Sequence, residues 1–470
     1  VSDADHAYLS LVRLADMLRE RQVSPVEVTR AALERIARMD SRLNTYLLVT
    51  EREALAAART AEAEIRAGHY RGPLHGVPFA LKDLFLTAGI RTTAGSRVLA
   101  EHVPDKDATV VARLREAGAV LLGKLNMHEF AFGVTNVNPH YGATHNPWDT
   151  ERITGGSSGG SGAALAAGLC SFSLGTDTGG SVRIPAALCG VTGLKPTYGR
   201  VSRHGVLPLA WSLDHVGPMA RSALDVALVL QAIAGRDPRD DTSGDAPVPD
   251  YASAIRAGVH GLRVGVPWHA IQGSVEPEVM TSFRSALDAL VGLGATVSEV
   301  ALPRFPLSRS LFSSIVLPES VSAHERYMAS RAGDYGPDVR ARLEAGLLLP
   351  ATRYLRAQRI RRLLQADFRD ALEQVDVIAT PTCPIVAPRI GEETVRIGER
   401  EESVTDILTL FTRPVNLVGL PAVSTPCGFT TAALPVGLQI IGRAFDEATV
   451  LRVAHACEQA TTWSEQRPAE

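Results

Sequence analysis

From about residue 75 to 235, short runs rich in apolar and β-branched residues alternate with longer runs of helical spacing, and no other feature constrains the fold as much. GVPFALKDLF reads as a buried strand, and ATVVARLREAGAVLLGK as a helix that ends near Gly118 before a strand over 120–122. Alternation of this kind builds βαβ units, in which crossover helices cover a mostly parallel or mixed sheet. The theme returns in GLRVGVP (261–267), a helix over about 276–293 and ATVSEVAL. Three late strand-and-turn segments, DVIATPTCP, GLPAVSTPCGF and LPVGLQIIGR, are expected to complete the sheet.

Ahead of this body, residues 7–67 read as an all-helical preface. Ser24, Pro25 and Glu27 form a capping box with proline at the first helical position, followed by apolar residues at Val28, Ala31, Leu33 and Ile36. A second, alanine-rich helix runs from about Glu51 to Ala67 and stops at Gly68. The expected organisation is an N-terminal helical segment (1–67) packed on one α/β unit (68–470). Residues 236–250 are a polar loop, and 304–375 look helical, with Arg-rich stretches such as TRYLRAQRIRRLLQADF read as a solvated face.

The chain has 470 residues, 45% of them hydrophobic, and a formal charge of -3 without a long run of either sign. Such a balance gives no footprint for nucleic acid or an acidic membrane surface. No apolar stretch reaches the roughly 18 residues of a membrane span, and the start is acidic where a signal peptide is basic, so a cytoplasmic location is expected. The five cysteines, Cys170, Cys189, Cys383, Cys427 and Cys457, are far apart among small or apolar neighbours, as buried thiols are. CxxC and HExxH are absent, and neither a metal nor a cofactor is expected.

Of 48 basic residues only four are lysines: Lys82, Lys106, Lys124 and Lys195. Arginine stays charged in a protein, whereas a buried lysine can lose its proton. Lys106, in PDKDA between acids, reads as a surface residue; Lys82 ends the apolar run of a buried strand, where desolvation lowers a lysine pKa.

Two serine clusters sit in glycine-rich backbone. TGGSSGGSG (154–162) lacks the lysine of a phosphate loop, and matches GxSxG only through Gly155, Ser157 and Gly159, without a convincing strand before it. A plain glycine loop leading into a small-residue helix describes it equally well. GTDTGGSVRIPAALCG (175–190) is more constrained: Gly179 and Gly180 before Ser181 let successive N–H groups converge, as a tetrahedral oxyanion requires. A serine nucleophile needs a base, and His75, His128, His145, His204 and His215 carry no paired acid at a telling spacing. Lys82 is the other candidate, with one serine attacking and the second passing its proton to the lysine.

Together with GKLNMHEFAFG, NPWDTERITGGSSGGSGAALAAG, GLKPTYGRVSRHG and NLVGLPAVSTPCGF, these segments resemble the amidase signature family from about residue 60 to the end. The resemblance implies a large mixed, twisted β-sheet flanked by helices on both faces. It implies a Ser181 nucleophile, Ser157 as bridging serine after a cis peptide bond, and Lys82 as base. The N–H groups of Thr178, Gly179, Gly180 and Ser181 become the oxyanion hole, and Ser158 and Asp177 orient the lysine and the loop.

The family's members include stand-alone amidases, the glutamine-hydrolysing subunit of a tRNA-dependent amidotransferase, and hydrolases of ureides, indoleacetamide or lipid amides. The stretch 305–348 favours a stand-alone amidase over the glutamine-hydrolysing subunit. A binding-only member is disfavoured because all three reactive residues are present. The expected partner is then a small-molecule amide, with no nucleic acid, no membrane and a homodimer of the kind common in the family. Phe130, Phe132, Tyr141, Leu207, Trp211, Ile315 and Arg342 are expected around the substrate pocket.

Overall fold

A computed structural model describes residues 6–469. Eleven strands form one sheet: β1 (Tyr46–Val49), β2 (Pro78–Lys82), β3 (Val120–Leu125), β4 (Phe172–Asp177), β5 (Thr192–Lys195), β6 (His215–Ala220), β7 (Arg263–Val266), β8 (Thr296–Glu299), β9 (Val377–Pro381), β10 (Ala422–Phe429) and β11 (Pro435–Ile441). Across the sheet they run β1-β3-β2-β4-β6-β5-β10-β11-β9-β7-β8. β2 is parallel to β3 and β4, and β7 to β8 and β9, while the other neighbours are antiparallel. The sheet is therefore mixed. Strands from residues 46–220 occupy one side and strands from 263–441 the other, and they meet where Gly193–Lys195 pairs with Ala422–Ser424.

Every residue of β2, β3, β4, β5, β6, β9 and β11 is buried. A strand buried on both faces reads as a continuous apolar run, because alternate side chains enter two different cores. Phe79 and Leu81 of β2 join Leu121, Phe172 and Leu174 in one core, where the rings of Phe79 and Phe172 stack at 5.0 Å. Ala80, Val120 and Leu122 point the other way, into a core with Leu33, Ile36, Ala54 and Ala58 of the N-terminal helices. All five cysteines are buried and free.

The capping box forms as read: Ser24 Oγ accepts from Glu27 N, and Glu27 accepts from Ser24 N, at the start of the helix Pro25–Leu43. The preface is not all helical, because Tyr46–Val49 is strand β1 and pairs antiparallel with β3. The preceding helix stops at Asn44, which adopts φ 53°, and the Asp40 carboxylate accepts from the N–H groups of Thr45 and Tyr46, turning the chain onto the sheet edge. YLLV has no apolar–polar alternation to mark it as a strand, and it sits between two helices. Residues 308–331, 337–347 and 351–374 form the expected helices.

Candidate active site

The buried run of β2 delivers Lys82 into the interior with no exposed surface. Its Nζ lies 2.7 Å from Ser157 Oγ and 2.9 Å from Thr176 Oγ1. Burial drives its pKa down to about 7, a fall partly opposed by the charges of Asp177 and Asp214.

Ser157 stands in the turn before the helix Gly159–Ala166, and the Gly156–Ser157 peptide is cis. A short strand, Asp149–Ile153, does precede this turn, but it pairs with His145–Asn146 outside the main sheet. The turn is tied to the second cluster. Ser158 N donates to the carbonyl of Ser181, and Ser158 Oγ bonds both main-chain groups of Thr176. The two serine clusters are thus neighbours across one set of hydrogen bonds.

Ser181 follows β4 on a turn organised by Asp177. Its carboxylate accepts from the N–H groups of Gly180 (2.8 Å) and Val182 (3.2 Å), and forms a fully buried ion pair with Arg183 at 2.9 Å. Burial alone would raise the Asp177 pKa, but the charge and hydrogen bonds of Arg183, the Lys195 charge and the Asn416 amide hold it well below the usual carboxylate range. The same guanidinium donates from Nη1 to Gln439 and from Nη2 to Asn416, each at 2.6 Å, and Asn416 Nδ2 returns a bond to the Asp177 carbonyl. Thr412 Oγ1 donates to the carbonyl of Gly179, and Thr178 Oγ1 to Asp214.

The glycines are sterically required here. A Cβ on Gly179 would lie 2.8 Å from the Phe312 ring, and one on Gly180, which has φ +133°, would overlap Thr412 Oγ1. The Gly180 N–H, expected to face the developing charge, is taken by Asp177 because the turn folds back on the carboxylate. Those of Thr178, Gly179 and Ser181 have no internal acceptor among the described residues.

A cavity of about 460 Å³ is lined by Thr176, Thr178, Leu207, Trp211, Asp214 and His215 among others; Lys82, Ser157 and Ser181 are not in its wall, and Thr176, which accepts from Lys82 Nζ, links it to them. Leu207 and Trp211, two of the residues expected around the substrate pocket, line this cavity. The other expected wall residues do not line it. Phe130 packs on His324 and Tyr335; Ile315 is fully buried in the core; Arg342 is drawn to the Phe132 carbonyl and Asp338; and Tyr141 bonds Asn44 through its main chain.

No hydrogen bond joins a histidine side chain to Ser157 or Ser181 among the described residues. Sequence reasoning did not single out Thr176, Thr412, Asn416 and Gln439. Thr176 lies inside the motif GTDTGGS and Asn416 is a polar residue opening the apolar run NLVGLPAV, a signal that was available. Among the described residues no helix is long and apolar enough to cross a membrane, and no cluster of three His, Cys, Asp or Glu residues stands ready for a metal ion.

A family model described as Amidase matches residues 27–451. One subunit of the glutamyl-tRNA(Gln) amidotransferase of Moorella thermoacetica is 46% identical, with 98% of each chain covered. Among solved structures, one described as a vestigial protein complex revealing the origins of an s-triazine catabolic enzyme superposes with a TM-score of 0.93 at 36% identity, covering 98% of this chain and 100% of that one. The same subunit of the Thermotoga maritima glutamyl-tRNA(Gln) amidotransferase superposes with a TM-score of 0.82 at 37% identity, covering 97% and 95%. These relatives overturn the expectation of a chain that meets only a small-molecule amide, without nucleic acid and with at most a copy of itself as partner. A relative matched over nearly its whole length is named as one subunit of a larger enzyme, and its substrate as a tRNA.

Proposed function

The chain belongs to the amidase family and is an enzyme of amide C–N bonds, and we propose that it is the glutamine-hydrolysing subunit of a tRNA-dependent amidotransferase. Identity of 46% across 98% of both chains to such a subunit carries this reading over that of a stand-alone amidase.

The chemistry we assign rests on the 2.7 Å contact between Lys82 Nζ and Ser157 Oγ. Neutral Lys82 takes the proton of Ser157 while Ser157 takes that of Ser181, and Ser181 Oγ attacks the side-chain amide carbon of glutamine. The N–H groups of Thr178, Gly179 and Ser181, on buried residues, hold the oxyanion. As the tetrahedral intermediate collapses, the C–N bond breaks and the leaving nitrogen receives its proton through Ser157, departing as ammonia. Water, deprotonated along the same route, then cleaves the Ser181 ester and releases glutamate.

One observation favours a second reading, a catalytic chain of a complex acting on a different amide: the backbone matches the s-triazine-related structure at 0.93 but the Thermotoga maritima chain at 0.82. The deciding experiment assays glutamine and ureide-type amides with and without the remaining subunits of the Moorella thermoacetica enzyme. Glutamine hydrolysis stimulated by those subunits is the expected result. Ureide turnover with no glutamine turnover in either condition replaces the first reading by the second.

A further inference from the structure

Behind the glycine-rich turn lies a buried pair that the proposed chemistry does not use. Lys195 ends β5 and His215 begins β6, with Nζ 3.2 Å from Nε2. Lys195 has no exposed surface and His215 only 3%. The other ring nitrogen, Nδ1, lies 2.7 Å from the Leu213 carbonyl oxygen and 3.2 Å from that of Asp177. Carbonyl oxygens only accept, so Nδ1 carries the proton and Nε2 presents a lone pair. Lys195 donates to that lone pair and to the carbonyls of Pro196 (3.1 Å) and Leu420 (2.5 Å), which fixes the tautomer from the far side.

The Asp177 carbonyl and the Thr178 N–H belong to one planar peptide unit, and in a trans unit they point in opposite directions. A donor gripping the oxygen therefore aims the N–H. Asn416 Nδ2 grips the same oxygen at 3.0 Å, so side-chain donors from two different parts of the chain hold the unit. We propose that His215, kept in its Nδ1–H form by Lys195, is a positioning residue that aims the Thr178 N–H at the oxyanion. The inference rests on the acyl-enzyme reading above, in which that N–H holds developing charge.

Two substitutions separate the ring nitrogens. In His215→Asn the side-chain amide reaches the place of Nδ1 and can still donate to the Asp177 carbonyl. In His215→Gln it reaches the place of Nε2, keeping a partner for Lys195 but no donor at the carbonyl. The expected result is that kcat falls about tenfold in His215→Gln with KM nearly unchanged, while His215→Asn retains most of the wild-type kcat; the loss is smaller than for deleting a whole oxyanion donor because Asn416 remains. Active sites are counted in each variant by the end point of Ser181 labelling with a fluorophosphonate. Equal activity of the two variants per labelled site overturns the proposal, because the donor at the carbonyl then does not matter. A rise in KM at constant kcat also overturns it, since His215 would then act only as a cavity wall. If the unaltered chain is not labelled at Ser181, the acyl-enzyme reading fails first.

Discussion

Lys82 and Lys124 lie at the ends of the neighbouring parallel strands β2 and β3, one register step apart and equally buried, yet only Lys124 touches a carboxylate, Asp83 at 3.1 Å. Lys82 touches two hydroxyls instead. Burial lowers the pKa of both lysines; at Lys124 the opposing charge, Asp83, is in direct contact, whereas at Lys82 the opposing charges of Asp177 and Asp214 act without contact.

A rising pH profile follows from this difference. Lys82 has a pKa of about 7, and only its neutral form has a lone pair for the Ser157 proton. kcat/KM is expected to rise through pH 7 with single-proton slope and level off above it. Lys82→Arg, whose guanidinium stays charged, should lose about 10²-fold or more at every pH. Lys124→Met should leave the apparent pKa of the profile in place. Initial rates from pH 5.5 to 9 check all three.

The same lysine is expected to weaken the fold. An unfolded lysine keeps its proton up to about pH 10, whereas folded Lys82 gives it up at about 7. Between those values the unfolded chain binds more protons, so the penalty shrinks as pH rises. Lys82→Met should therefore raise the melting temperature at pH 7, with a gain that fades towards pH 10. A gain that is constant across this range would refute the assignment, and calorimetry at the two ends measures it.

Asp177→Asn should destabilise the chain by about 3–5 kcal/mol, because it leaves the guanidinium of Arg183 buried without its counter-charge. Both members of the pair have no exposed side-chain surface, so solvent offers no relief. Chemical denaturation gives the difference directly. Replacing both, as in Asp177→Asn with Arg183→Met, should recover part of the loss in stability without restoring activity.

Gly180→Ala is expected to abolish turnover while leaving most of the protein folded. A side chain at φ +133° is strained by about 1–3 kcal/mol, and its Cβ would overlap Thr412 Oγ1. Relief requires the turn to move, and with it Ser181. Single-turnover acylation should be lost before the circular dichroism spectrum changes.

Much of this site was legible because its chemistry needs unusual residues. A lysine at the end of an apolar strand stands out in a chain with four lysines, and glycines crowd only where two serine turns must meet. Buried strands such as β2 and β3 were legible for a similar reason, since their runs are almost wholly apolar, while β5 (TGLK) and β6 (HVGPMA), equally buried but mixed in composition, were not. Nor were the walls of the cavity. Whether Phe130 faces the cavity or His324 depends on a helix about 190 residues further along, and no local spacing records it. The clamp of Thr412, Asn416 and Gln439 on the serine turn escaped notice likewise, because these residues act more than 230 positions away from Gly179 and Arg183. Strand β1 was missed because YLLV carries no alternation and stands between two helices.

The division of the sheet at the β5–β10 seam also assigns labour along the chain. Lys82, Ser157 and Ser181 all precede the polar loop at 236–250, and the three clamping side chains all follow it. A protease nick between Pro247 and Asp250 would thus part reactivity from rigidity. One fragment would carry the three residues to which the proposed chemistry assigns reaction, on a slack turn, and the other would carry the brace. Each is expected to be inactive alone, and recovery of turnover on mixing them would report re-formation of the seam.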